Sequence, residues 1–290
     1  MPSMGKADRK RTQSARARIA EQQAQQRKAE QRRRMIAIGA VGVVVLAVIG
    51  IIIGLLVSKS TPKQAAATTG PLPSSVQAKL SVPASVLAAV GTGDAIPSSV
   101  KPVTGAPLTS GGKPEMLYIG AEWCPFCAAE RWAMAVALSR FGTFSPLKGI
   151  HSSSTDVYPN TATVTFHNIT YTSKYLVFTP VENQDINHNL LQTPTAAQQA
   201  LWRKYAPPGN SYPFIDIGNK FVASTTFNPQ VLQHLTWSQI ATALHQPASP
   251  VAHGVNGSAN LFTAAICKIT GNAPANVCTT APVSALEGHI

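Results

Sequence analysis

The chain has 290 residues, 44% of them hydrophobic and only 12% charged, which excludes a wholly disordered polymer and leaves room for one or two folded domains. A net charge of +12 points at first to nucleic acid, but its distribution argues otherwise. Residues 1–34 carry 11 Lys or Arg against three acids, whereas the remainder carries 13 against nine. The basicity belongs to one tail, and no nucleic-acid partner is expected.

Met35–Val57 follows that tail as 23 residues without a charged side chain. At about 1.5 Å per residue a helix of this length crosses the hydrocarbon core of a bilayer. Arg32, Arg33 and Arg34 abut its start, so the positive-inside bias predicts a cytoplasmic N-terminus and an extracytoplasmic remainder. The 34-residue basic stretch is too long for the leading region of a cleavable signal, so an uncleaved single-pass anchor in the cell membrane is expected. Residues 1–34 then act as a topology signal that also adheres to anionic lipid headgroups. Residues 58–83, rich in Ser, Thr, Pro and Ala, are predicted to be a flexible tether, and 84–290 an extracytoplasmic domain with a C-terminal extension.

Within that domain a helix is predicted over Ala84–Val90, stopped by Gly91. Pro102–Pro114 reads as a loop or edge hairpin. Met116–Ile119 is a short apolar run fit for a buried strand, and helical spacing follows over Ala128–Phe141. A strand is predicted over Thr161–Phe166, another short element of unassigned type over Tyr171–Phe178, and a helix over Thr195–Tyr205. Phe214–Ile217 and Lys220–Val222 form a hairpin around Gly218-Asn219. Helices over Trp237–Leu244 and Ala259–Ile269 complete a mixed α/β sandwich.

The four cysteines are Cys124, Cys127, Cys267 and Cys278. In Cys124-Pro-Phe-Cys127 the sulfurs meet only if the chain turns tightly, as at the first turn of a helix. With Cys124 as N-cap, Pro125 falls at the first helical position, where its missing N–H costs nothing. The Cys124 sulfur then faces unpaired backbone N–H groups at the positive end of the helix, which favours a thiolate. Cys124 is expected to be the attacking, solvent-accessible thiol and Cys127 the resolving one. A zinc site fits poorly, because ten residues separate Cys267 from Cys278 and no two histidines stand at i, i+3 or i, i+4. Cys267 and Cys278 form either a structural disulfide worth about 2–3 kcal/mol or a second redox pair that relays electrons.

Ala121-Glu-Trp-Cys-Pro-Phe-Cys127 resembles the active-site motif of the thioredoxin superfamily, W-C-x-x-C after a central strand and opening a helix. The whole layout, with basic tail, anchor, W-C-P-F-C domain and C-terminal cysteine pair, is similar to the prokaryotic domain-of-unknown-function family 929. The superfamily resemblance implies a thioredoxin-like central mixed sheet flanked by helices, and a thiol–disulfide oxidoreductase that needs no bound cofactor. It also implies a cis-proline opposite the cysteines, a position that Tyr212-Pro213 fits. By the same resemblance Trp123 shields the sulfurs, while Pro125 and Phe126 are more like the dipeptide of oxidising relatives. One departure stands out: Tyr118 occupies the position of the superfamily's buried aspartate. Glu122 and Glu130 are the nearby acids, read mainly as surface residues and secondarily as proton carriers.

The implied partners are cysteine-containing extracytoplasmic proteins and a membrane partner that resets the pair, either a quinone-linked oxidase or a transmembrane reductase. Two other readings use the same residues. One is a non-catalytic adaptor of an envelope complex, the other a thiol chaperone for metal or haem apoproteins.

Overall fold

A computed structural model describes residues 70–206 and 211–290. The basic tail, the apolar run at 35–57 and the first part of the predicted tether (58–69) lie outside the described residues. Among the described residues no helix is long and apolar enough to cross a membrane.

The folded chain starts earlier than the sequence suggests. Strand β1 (Gly70–Pro71) and helix α1 (Ser74–Ala78) precede α2 (Ala84–Val90), and Leu72, Val76, Leu80 and Val82 are all buried. Residues 70–83 are therefore part of the domain rather than tether. Their apolar side chains enter the main core, which outweighs the entropy a free linker would keep.

Short strands β2 (Lys101–Pro102) and β3 (Thr109–Ser110) lead into β4 (Lys113–Ala121), the central strand. Helix α3 (Pro125–Leu138) follows, then β5 (Gly142–Phe144), β6 (Lys148–His151), β7 (Ala162–Thr165), β8 (Tyr171–Ser173) and β9 (Val177–Gln184). Helix α4 (Ala196–Tyr205) precedes the hairpin of β10 (Phe214–Ile217) and β11 (Phe221–Ala223). Four helices close the chain: α5 (Trp237–Ala243), α6 (Pro250–Ile269), α7 (Ala275–Cys278) and α8 (Val283–Leu286).

The main sheet runs β2-β11-β10-β4-β3, with β9 pairing parallel to β4 and every other pair antiparallel. Alternation along β4 sends Met116 and Tyr118 to one face and Leu117 and Ile119 to the other. The first face packs on α3 and α6, the second on α4 through Trp202. A mixed α/β sandwich with helices on both faces is the result. Two smaller antiparallel sheets, β1-β6-β7 and β5-β8, lie apart from it.

Helix α3 is buried along almost its whole length, and its alanines allow close neighbours. One of these is α6, which begins nine residues before the predicted start. The sequence hid that first half behind Gly254 and Gly257. Both are required by close approach: a Cβ at Gly254 would strike the Phe227 ring, and one at Gly257 the Thr92 carbonyl oxygen. Asn256, in a glycosylation-like tripeptide, is buried here and donates to the Leu244 carbonyl at 2.8 Å.

Candidate redox site

The C-terminal end of β4 delivers the chain into α3, and the turn between them carries the cysteines. Cys124 is the N-cap, with extended backbone (φ −76°, ψ 121°), and Pro125 is the first helical residue. The Cys127 backbone N–H donates to Cys124 Sγ at 3.2 Å, filling the role that a Ser or Asp oxygen takes at an ordinary N-cap. The Cys124 N–H donates to the Ala121 carbonyl at 3.2 Å, which tightens the turn.

These contacts separate the two thiols electrically. Hydrogen bonding from the Cys127 side chain and backbone, with help from the nearby Arg131 charge, holds the Cys124 pKa below its ordinary value against the opposing effect of burial. Burial pushes the Cys127 thiol well up, and its bond to Cys124 adds to the shift. An ionisable outer sulfur beside a protonated inner one is the division of labour that disulfide exchange requires.

One expectation is corrected. Cys124 is only 3% exposed, not freely accessible. Trp123, Phe126 and Tyr212 pack against the small cluster of Ala121, Cys124 and Cys127. Trp123 stacks on His188 at 4.5 Å and donates from Nε1 to Gln184 at 2.9 Å. Tyr212 meets Trp123 edge-on at 6.0 Å, and its hydroxyl donates to Asn183. Phe126 meets Tyr158 edge-on at 5.9 Å. Polar ties therefore hold an aromatic rim over the sulfur, and the rim must open before a partner reaches it. Two exposed apolar side chains, Val157 (64%) and Leu190 (69%), sit on the loops that supply Tyr158 and His188.

The Tyr212–Pro213 bond is cis, as the resemblance implied. It places Tyr212 on the cysteine cluster, while Pro213 lines a cavity of about 190 Å³ with Lys101, Tyr205, Phe214 and Val222.

The two acids are also corrected: both are buried, not surface residues. Glu130 lies on α3 and accepts from the Thr226 N–H at 2.7 Å and hydroxyl at 2.9 and 2.8 Å. Burial raises its pKa to about 8. Glu122 accepts from the Thr165 hydroxyl at 2.6 Å, and burial raises its pKa as well. The polar bonds of both acids are thus made to threonines.

Beneath the turn lies a pair the sequence reading missed. Arg131 and Glu182 are fully buried and joined by two bonds, Nε to Oε1 at 2.8 Å and Nη2 to Oε2 at 2.7 Å. Arg131 stands four residues after Cys127, and two adjacent charges, Glu130 and Arg131, in an otherwise apolar helix were the signal available.

Cys267 and Cys278 are disulfide-bonded, with Cα atoms 5.5 Å apart, and tie α6 to α7 within the main core. They belong to a different cluster from Cys124 and Cys127, whose thiols are free. Among the described residues no three His, Cys, Asp or Glu side chains converge to hold a metal ion.

No curated protein and no solved structure matches the chain. A family model described as a domain of unknown function, DUF929, matches residues 99–210, which include β4, the cysteine turn, α3 and β9. Over that stretch the resemblance to the DUF929 family is shown.

Proposed function

We propose that the protein is a membrane-anchored, extracytoplasmic thiol–disulfide oxidoreductase that acts on cysteines of other proteins. The observation that carries this reading is the Cys127 N–H bond to Cys124 Sγ at the start of α3. It combines an activated thiol, a partner thiol one turn away, and a fixed helical scaffold. The β9-β4-β10-β11 arrangement and the cis Tyr212–Pro213 bond, whose Tyr212 packs on the cysteine cluster, support a thioredoxin-like sandwich. Residues 1–57, basic and then apolar, support the anchor and its orientation.

In the reducing direction the Cys124 thiolate attacks one sulfur of a substrate disulfide. A Cys124–substrate bond forms, the substrate S–S bond breaks, and the second substrate sulfur leaves as a thiolate. Cys127 then gives its proton to the departed substrate thiolate and attacks Cys124 Sγ, forming the Cys124–Cys127 disulfide and releasing the first substrate sulfur as a thiolate. Two electrons pass from the pair to the substrate; the oxidising direction is the reverse. A membrane quinone-linked oxidase or transmembrane reductase returns the pair to its starting state.

The deciding measurement is the reduction potential of the Cys124–Cys127 couple, with Cys124→Ser as control. A value near about −120 mV marks an oxidase and one near about −270 mV a reductase. A couple that exchanges with no dithiol refutes the proposal. The coverage of Cys124 favours one second reading, a non-catalytic adaptor whose cysteines are structural. It requires that the thiols stay unreactive in the folded protein.

A further inference from the structure

The cysteine turn rests on a buried cation. Arg131 lies one helical turn beyond Cys127 on the same face of α3, and helical side chains lean toward the N-terminus, that is, toward the sulfurs. Its Nη2 donates to the Ala121 carbonyl at 2.8 Å. That same oxygen accepts the Cys124 N–H, so Arg131 and the attacking residue share one anchor. Glu182 sits opposite Gly120 on β9, accepts the other edge of the guanidinium, and is itself held by the Phe166 N–H at 3.1 Å.

Two polar atoms in this buried layer lack a partner: Arg131 Nη1 and the Tyr118 hydroxyl. The guanidinium carbon lies 5.9 Å from the Tyr118 ring centre. A buried cation with an unused N–H edge is costly unless something nearby gains from its field. The groups positioned to gain are the sulfurs.

We infer that Arg131 is a positioning residue of the redox site: oriented by Glu182, it fixes the Ala121 carbonyl beneath the cysteine turn and supplies the buried positive charge that keeps Cys124 reactive. Arg131 lowers the pKa of both thiols, whereas burial and the Cys124–Cys127 bond raise that of Cys127. The other ionisable groups around the turn are Tyr118, Glu122 and Glu182 near Arg131, and Tyr212, which packs on the sulfurs. This deepens the proposed redox function and rests on it.

The test is the pH dependence of Cys124 alkylation by iodoacetamide in the reduced full-length protein. Arg131→Met removes the charge, so the midpoint rises by about one pH unit and the rate at pH 6 falls about tenfold. Arg131→Lys keeps the charge and stays within about threefold of wild type, while Glu182→Gln removes the opposing charge and moves the midpoint down. A purely structural pair lowers thermal stability in both Arg131→Met and Glu182→Gln but does not move their midpoints in opposite directions. Unchanged midpoints, or midpoints that move together, overturn the inference. If Arg131→Met does not fold, Glu182→Gln decides: a lower midpoint supports the role, and an unchanged or higher one overturns it. Wild-type exchange with a disulfide substrate is measured alongside. Its absence with the opposite shifts intact refutes the oxidoreductase reading and leaves the electrostatic role of Arg131 standing.

Discussion

The Tyr118 side chain occupies the space that Gly120 leaves open two residues along the same face of β4. A Cβ at Gly120 would overlap the Tyr118 hydroxyl and ring carbon. Gly120→Ala is therefore expected to destabilise the protein by about 1–3 kcal/mol through overpacking. Tyr118→Leu should relieve part of that loss, so a double-mutant cycle followed by denaturant unfolding should give a clearly non-additive sum.

The two thiols should be separable by trapping. With Cys127→Ser, attack by Cys124 on a disulfide substrate has no resolving step, and a covalent complex accumulates on non-reducing gels. Cys124→Ser should trap none, because Cys127 is fully buried and its thiol is held protonated. Equal trapping by both variants would contradict the assigned roles.

Tyr212 is the rim residue most easily tested. Replacing it with Ala removes one of the three aromatic side chains that cover Cys124 and the bond to Asn183. Alkylation of Cys124 by a bulky maleimide should speed up several-fold, with the pH midpoint little changed. Tyr212→Phe loses only the hydroxyl and should lie between the two.

Glu130 should imprint a pH dependence on stability. Burial raises its folded pKa to about 8, so the folded state binds more protons than the unfolded chain between the ordinary carboxylate value and pH 8. By linkage this contribution is present at acid pH and is lost as pH rises through that window. Glu130→Gln should remove that part of the slope. Urea midpoints at pH 5, 6.5 and 8 should fall less in the variant than in wild type.

Cys267 and Cys278 discriminate structure from relay. Replacing both with Ala should cost about 2–3 kcal/mol of stability while leaving disulfide exchange by Cys124–Cys127 intact at permissive temperature. Loss of exchange in a still-folded variant would assign the second pair a redox role.

Features governed by neighbouring residues were legible in the sequence. Pro125 after a cysteine N-cap, Gly91 after α2 and Gly218-Asn219 between β10 and β11 are short-range signals, and the structure places all three as expected. Distant partners were not legible. Arg131 finds Glu182 51 residues away, and Tyr212 covers Cys124 from 88 residues further along the chain. The stretch at 70–83 failed for another reason. Leu72, Val76 and Leu80 do recur at a spacing of four, but Pro71, Pro73 and Pro83 gave the segment a linker's composition.

Because α3 is enclosed by protein along its length, it has no free side on which to slide when the sulfurs join or part. Adjustment falls instead on the lips of the site, where Ser153 N–H and Gln184 both hold Trp123. Under the proposed redox function, a partner docked at that rim meets one contour when the pair is reduced and another when it is oxidised.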